Sequence, residues 1–215
     1  MTHYLKVSFK DGSIYETSKE PQDGFQKNEW SVAGRSGVNY KKVYRKPISG
    51  ALVSIKHRDT NFGQTLAVVL RNEDYFQIEV PLMDRDEISP FAENIIRQLP
   101  NLQKGMEYDV TGFVYQPEGS KYQYRGLTFR KDGTEKVEKA LTYQTANNPD
   151  GDIPPIEWKE TMGKKKPVFE KRNDYLYNFM KKQLSENFGE SQDVPSTPEP
   201  PKVEEKKPNV EDLPF

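Results

Sequence analysis

Between residues 51 and 130, apolar and polar side chains alternate in short runs, and one helix-forming stretch interrupts them. A period of two belongs to strands, because successive side chains of a strand point to opposite faces. Ala51–Arg58 sets Val53 and Ile55 against Lys56 and Arg58. Gln64–Arg71 carries Leu66, Val68 and Leu70 in register, after a turn at Asn61-Phe62-Gly63. Tyr75–Val80 sets Phe76, Ile78 and Val80 inward and Tyr75, Gln77 and Glu79 outward, after a turn at Asn72-Glu73-Asp74. The turns are short, so these three strands form a meander. The helix follows. Ser89 fits the N-cap and Pro90 the first helical position. Phe91, Ile95 and Leu99 then share one stripe, and Pro100 ends the run. Gly105 turns the chain into Met106–Gln116, where Tyr108, Val110 and Val114 alternate with Asp109, Thr111, Phe113 and Tyr115. Gly112 in mid-strand marks a bend or a close backbone approach. A fifth strand, Tyr122–Arg130, sets Tyr122, Tyr124 and Arg130 on one face and Gln123, Arg125, Leu127 and Phe129 on the other.

Three meandering strands, a helix and two further strands resemble an OB-fold, the five-stranded Greek-key barrel that binds oligonucleotides. Lys104–Gly112 is similar to the usual entry into the fourth strand of that fold. An SH3-like barrel also has five short strands, but the helix between the third and fourth favours the OB reading. The expected fold is therefore mainly β: a five-stranded barrel with one helix, an N-terminal hairpin, a C-terminal helix and a disordered acidic tail. The hairpin spans residues 4–17, with Asp11-Gly12 as its turn. Pro21, Gly24, Gly34 and Gly37 break up residues 19–47, which read as irregular. Gly34-Arg35-Ser36-Gly37 lacks the lysine–hydroxyl pair of a phosphate loop. The domain boundaries expected are 1–135 for the nucleic-acid-binding barrel, 136–189 for a linker with an amphipathic helix, and 190–215 for the tail. In the second segment, Leu176, Phe179, Met180 and Leu184 form a stripe that Gly189 terminates. Packing on the barrel is its simplest role, with self-association or partner binding as the alternative.

Charge and composition limit the chemistry. Without cysteine there is no disulfide, thiolate metal site or cysteine nucleophile. His3 and His57 are the only histidines, too few for a histidine-rich metal site. No cofactor is expected. No apolar run approaches a membrane span and the N-terminus lacks a signal-peptide core, so the expectation is a cytoplasmic protein, in the bacterial host if phage-encoded. Asn148-Pro149-Asp150-Gly151-Asp152 has the look of a calcium loop, but the alignment that fits Gly151 and Glu157 puts Ala146 at the first ligand place. Asp84, Asp86 and Glu87 are the acids a magnesium-dependent nuclease would need, although their surroundings read as an exposed loop leading into a helix. The expectation is a binding protein and not an enzyme.

Residues 190–215 hold seven acids against three lysines, a charge of −4, while the whole chain carries −1, which leaves +3 for residues 1–189. Pro195, Pro198, Pro200, Pro201 and Pro208 complete the composition of a disordered tether. It ends in Glu211-Asp212-Leu213-Pro214-Phe215. A mildly basic body, an acidic tail and this ending resemble the single-stranded DNA-binding proteins of bacteria and, in layout, those of bacteriophages. In the bacterial family an acidic run is followed by Ile-Pro-Phe, and Leu213 stands here in the place of the isoleucine. The resemblance covers the last residues closely and the barrel in pattern. It implies a role in DNA replication, recombination and repair, with Asp212, Leu213, Pro214 and Phe215 recruiting partner proteins to coated DNA.

Single-strand binders combine cations for phosphates with aromatic faces for bases. Strand phase nominates Lys56, Arg58, Arg71 and Tyr75 on the first three strands, then Tyr115, Tyr122, Tyr124 and Arg130. Tyr40, Lys41, Lys42, Tyr44 and Arg45 would flank them. A one-residue register error would exchange these for core residues. The acidic tail is expected to compete weakly with DNA for the basic body. The alternative function is an OB-fold module that binds RNA or protein as a replication accessory factor.

Overall fold

The computed structural model describes residues 1–32, 35–61, 63–161 and 163–189. The expected tail and its tip, 190–215, lie outside the described residues, and so does Phe62 of the expected second turn. The chain is mainly β with two α-helices. In order it forms β1 (Thr2–Val7), β2 (Ile14–Ser18), β3 (Gln26–Val32), β4 (Arg35–Tyr44), β5 (Ile48–Thr60), β6 (Gly63–Arg71) and β7 (Tyr75–Pro81). Next come the short β8 (Met83–Asp84) and β9 (Glu87–Ile88), then α1 (Pro90–Gln98), β10 (Glu107–Tyr115), β11 (Tyr124–Lys131) and β12 (Glu135–Lys136). A two-stranded ribbon, β13 (Glu157–Thr161) and β14 (Lys164–Val168), precedes α2 (Glu170–Phe188).

The five strands expected from alternation are neighbours in the order β11-β10-β5-β6-β7, all antiparallel. Closing them into a five-stranded barrel would require β11 to pair with β7. It does not, so the expected barrel is corrected to an open ten-stranded sheet, β12-β11-β10-β5-β6-β7-β1-β2-β4-β3. Two local arrangements account for this. The free edge of β7 is taken by β1 in parallel, with Leu5 opposite Ile78, so the N-terminal hairpin is a central part of the sheet. Beside β11 lies α1. Asn94 Oδ1 accepts from Leu127 N at 3.0 Å, and Gln98 Nε2 donates to Leu127 O at 3.2 Å. These side chains satisfy backbone groups that a barrel would pair with a strand.

The sheet still curls. The turn between β1 and β2 reaches β10, where a Cβ on Gly112 would lie 2.0 Å from the Gly12 carbonyl oxygen. Glycine at 112 thus permits the close approach that its mid-strand position implies. The α1 start follows its sequence signals: Ser89 Oγ accepts from Ala92 N at 3.2 Å and Pro90 is the first helical residue. A cap of this kind contributes about 1 kcal/mol.

Leu5, Leu66, Val68, Ile78, Phe91, Ile95, Leu99, Tyr108 and Phe129 are buried in one core. Residues 136–189, read as linker and helix, add Val137, Leu141, Ile153, Leu176, Met180 and Phe188 to it. The stripe on α2 therefore packs inward, and its Tyr177 ring meets His57 edge-on at 5.6 Å.

The segment expected to be irregular and the expected linker are both ordered. Residues 19–47 contain β3 and β4, paired from Gln26↔Lys41 to Val32↔Arg35. Residues 131–170 contain β12, the ribbon, and a loop in which Asp152 Oδ2 accepts from Thr142 N at 2.9 Å. Asp152 thus closes the loop that resembles a calcium site. Among the described residues no helix is long and apolar enough to cross a membrane.

Candidate nucleic-acid interface

Residues directly opposite in a ladder share a face of the sheet. Lys56 lies opposite Ala67, which lies opposite Glu79; Arg58 opposite Thr65; Ala51 opposite Arg71, which faces Tyr75. On the next pair, Asp109 meets Arg130 and Tyr115 meets Tyr124. A bulge between Leu52 and Ser54 shifts the register of β5, so that Ala51 and Lys56 sit on the same side. Ala51 also pairs with Glu107 of β10. Register therefore puts Lys56, Arg58, Arg71, Tyr75, Tyr115, Tyr124 and Arg130 on one face, opposite to Leu66, Val68, Leu70 and the core. On it, the Arg71 guanidinium stands 5.5 Å from the Tyr75 ring, and Arg58 NH1 lies 3.8 Å from Glu79. Arg130 donates to the Thr134 carbonyl at 3.0 Å.

The expected flank divides. Lys41 lies on this same face, with its ammonium 4.0 Å from the Tyr15 ring. Tyr40, Lys42 and Tyr44 lie on the other. Tyr44 Oη donates to Glu16 Oε2 at 3.0 Å, and its ring meets Phe76 edge-on. Burial, and then the Glu16 carboxylate, push the Tyr44 phenol well above its usual range. Lys42 covers the Tyr44 ring at 5.2 Å. Tyr44 thus packs against the rim of the core. Arg45 follows β4 and is exposed.

At the far end of this face a groove of about 750 Å³ opens between α1, the ends of β10 and β11, the loop at 139–145 and the start of the ribbon. Its rim carries Tyr122, Tyr124 and Trp158, which are 77%, 58% and 63% exposed. Arg97, Arg125, Lys139 and Arg172 line it, against two carboxylates, Glu87 and Glu93. The groove is therefore net positive.

The floor is a buried network. Glu93, 8% exposed, accepts from Arg172 NH2 at 2.6 Å on one oxygen and from the Tyr143 hydroxyl on the other. Arg97 NH1 lies 4.0 Å from the same carboxylate, while Arg97 Nε and NH2 donate to the Leu141 carbonyl at 3.0 and 2.9 Å. The Arg97 and Arg172 guanidiniums stand 4.2 and 4.9 Å from the Tyr143 ring, within cation–π range. Burial, and then Glu93, raise the Tyr143 phenol to about 12, which keeps its proton on the bond to Glu93. Burial, and then Arg97 and Lys136, lower the Lys139 ammonium. Burial raises the Glu87 carboxyl against the pull of Arg172.

Strand phase found Tyr122 and Tyr124 and missed the rest of the groove. Arg97, Lys139, Tyr143 and Arg172 come from segments far apart in the chain, and no local pattern links them. Trp158 did carry a signal: an aromatic beside Lys159 and a few residues before Lys164-Lys165-Lys166. Asp84, Asp86 and Glu87 do not assemble a metal site; among the described residues no group of three or more His, Cys, Asp or Glu is placed to hold one. The Asp86 carbonyl instead accepts from Asn173 Nδ2 at 2.8 Å, which ties the loop to α2.

No protein-family model, no curated protein and no solved structure matches this chain.

Proposed function

We propose that this protein binds single-stranded DNA, largely without sequence preference, during replication, recombination or repair. One observation carries the reading: Tyr122, Tyr124 and Trp158 expose their rings around a net-positive groove in which Arg125 and Lys139 stand free of the Glu93 network that holds Arg97 and Arg172. Exposed rings stack on any base, and cations meet the phosphates beside them. The basic and aromatic face with Arg71, Tyr75, Lys56 and Arg130 extends the path, since Tyr124 belongs to both. Following the resemblance at its end, the chain recruits replication or recombination proteins through Asp212, Leu213, Pro214 and Phe215. It acts by binding and needs no cofactor.

A labelled oligo-dT, followed by fluorescence anisotropy at two salt concentrations, tests this. The expected result is tight, salt-weakened binding that duplex DNA fails to compete. An oligo-U arm separates DNA from RNA, since a site specific for DNA must disfavour the 2′-hydroxyl. Equal affinity for oligo-U would favour the RNA-binding alternative, and no binding at low salt would leave a protein-binding module. Removal of residues 190–215 takes away a charge of −4 and is expected to tighten oligo-dT binding, most at low salt. Unchanged affinity at every salt concentration would reject competition by the tail.

A further inference from the structure

The ribbon β13–β14 is a sheet of its own, hydrogen-bonded to no strand of the ten-stranded sheet. Its register places Trp158 opposite Pro167, Lys159 opposite Lys166, Glu160 opposite Lys165 and Thr161 opposite Lys164. Trp158 and Pro167 thus share one face with Glu160 and Lys165. Lys159, Lys164 and Lys166 share the other. Trp158 lines the groove, so the ribbon forms a wall of it that is separate from the β10–β11 wall bearing Tyr122 and Tyr124.

Two features are costly for a ribbon that only folds. Like charges directly opposite each other in a ladder are destabilising, and Lys159 faces Lys166. An isolated two-stranded ribbon is itself marginal. Among the described residues, Lys164, Lys165 and Lys166 form no ion pair, and the ribbon is anchored by Glu157, which meets Lys171 of α2 at 2.5 Å. A large exposed indole beside unpaired lysines suits a ligand with flat faces and regularly spaced negative charge. The same chemistry lines the groove next to it.

We infer that the ribbon is a clamp on single-stranded nucleic acid. Trp158 stacks on a base from the second wall of the groove, and Lys159, Lys164 and Lys166 hold phosphates of the nucleotides that leave it. This rests on the single-strand reading above and adds a named element to it.

Trp30 and Trp158 are the only tryptophans in the chain. In a Trp30→Phe background the emission therefore reports Trp158 alone. That variant is titrated with oligo-dT while anisotropy of the labelled strand is followed in parallel. The expected result is saturable quenching of Trp158 that tracks the anisotropy. A second variant, with Lys159, Lys164 and Lys166 each changed to Gln, is expected to keep the quenching and bind about tenfold more weakly at low salt. Its slope of log affinity against log salt falls by roughly 2, at about 0.7 per lost phosphate contact. Anisotropy that rises while Trp158 emission stays unchanged would overturn the clamp and spare the single-strand reading. A triple variant with unaltered affinity and slope would do the same to the phosphate role. No anisotropy change in the parent protein would overturn both.

Discussion

The floor and the rim of the groove use the same residue types for opposite ends. On the floor, Tyr143 lies within cation–π range of two guanidiniums and donates to a buried carboxylate. At the rim, Tyr122 and Tyr124 keep most of their surface in solvent. Arg172 and Arg97 are matched by Glu93, while Lys164, Lys165 and Lys166 on the adjoining ribbon have no ionic partner among the described residues. A matched, buried group contributes to folding and is unavailable to a ligand. An exposed, unmatched one contributes little to folding and is free to bind. The comparison separates residues whose loss should reduce stability from residues whose loss should reduce affinity.

The largest effect is expected at Glu93. Glu93→Gln keeps the shape but removes the carboxylate that Arg97 and Arg172 share. Loss of one partner from a buried ion pair costs about 3 kcal/mol or more. A urea unfolding curve should show that loss, with oligo-dT affinity of the folded protein little changed. Full stability with weakened binding would mean that the floor belongs to the ligand.

Tyr122→Ala and Tyr124→Ala should do the reverse. Each is expected to weaken oligo-dT binding by about 1–3 kcal/mol, the range for a stacked base. Unfolding midpoints should stay at the parent value. A Tyr124→Ala protein that unfolds earlier and binds normally would move Tyr124 to the structural class. Tyr44→Phe sharpens the contrast from a second aromatic in the basic run at 40–45. It removes the bond to Glu16 and should lower stability by about 1 kcal/mol with affinity unchanged. Weaker binding without a stability loss would restore Tyr44 to the interface.

How far these roles were legible in the chain follows from how local their causes are. Strand alternation is set residue by residue, so the ladders of β5, β6, β7, β10 and β11 were readable, and with them the shared face of Lys56, Tyr75 and Tyr124. Ser89 and Pro90 announced α1 for the same reason. Closure was not readable. It depends on which strand reaches the free edge of β7, and β1 does so from 73 residues away in sequence, Leu5 pairing with Ile78. The hairpin of β3 and β4 was hidden by glycines that permit turns and close packing as readily as disorder: a Cβ on Gly37 would lie 2.8 Å from the Trp30 ring. The face that Tyr44 and Lys42 occupy was not readable either, because basic and aromatic neighbours have the same composition on both faces. Only the pairing of β2 with β4 assigns the face.

The smallest effect concerns the turn that supports the rim from behind. Asp11 accepts hydrogen bonds from Ser8 and from Ser13 N and Oγ, which hold its carboxyl at about 2, below the usual 3.8. The folded value is the depressed one. The stabilisation is therefore complete at pH values well above 3.8 and is lost as pH falls through about 2. Asp11 is exposed, and solvent screening reduces its contribution to under about 1 kcal/mol. Asp11→Asn should lower the urea midpoint slightly at pH 7, and the gap to the parent should narrow at pH 3. A gap independent of pH would mean that the turn's shape matters and its charge does not. The same turn carries Gly12, whose carbonyl rests against Gly112 of β10, the strand that ends in Tyr115. A loose turn would therefore reach the rim through the backbone of β10. Weaker oligo-dT binding by Asp11→Asn at pH 7, with stability nearly intact, would show that a binding surface made of exposed rings still depends on a contact on the other side of its strand.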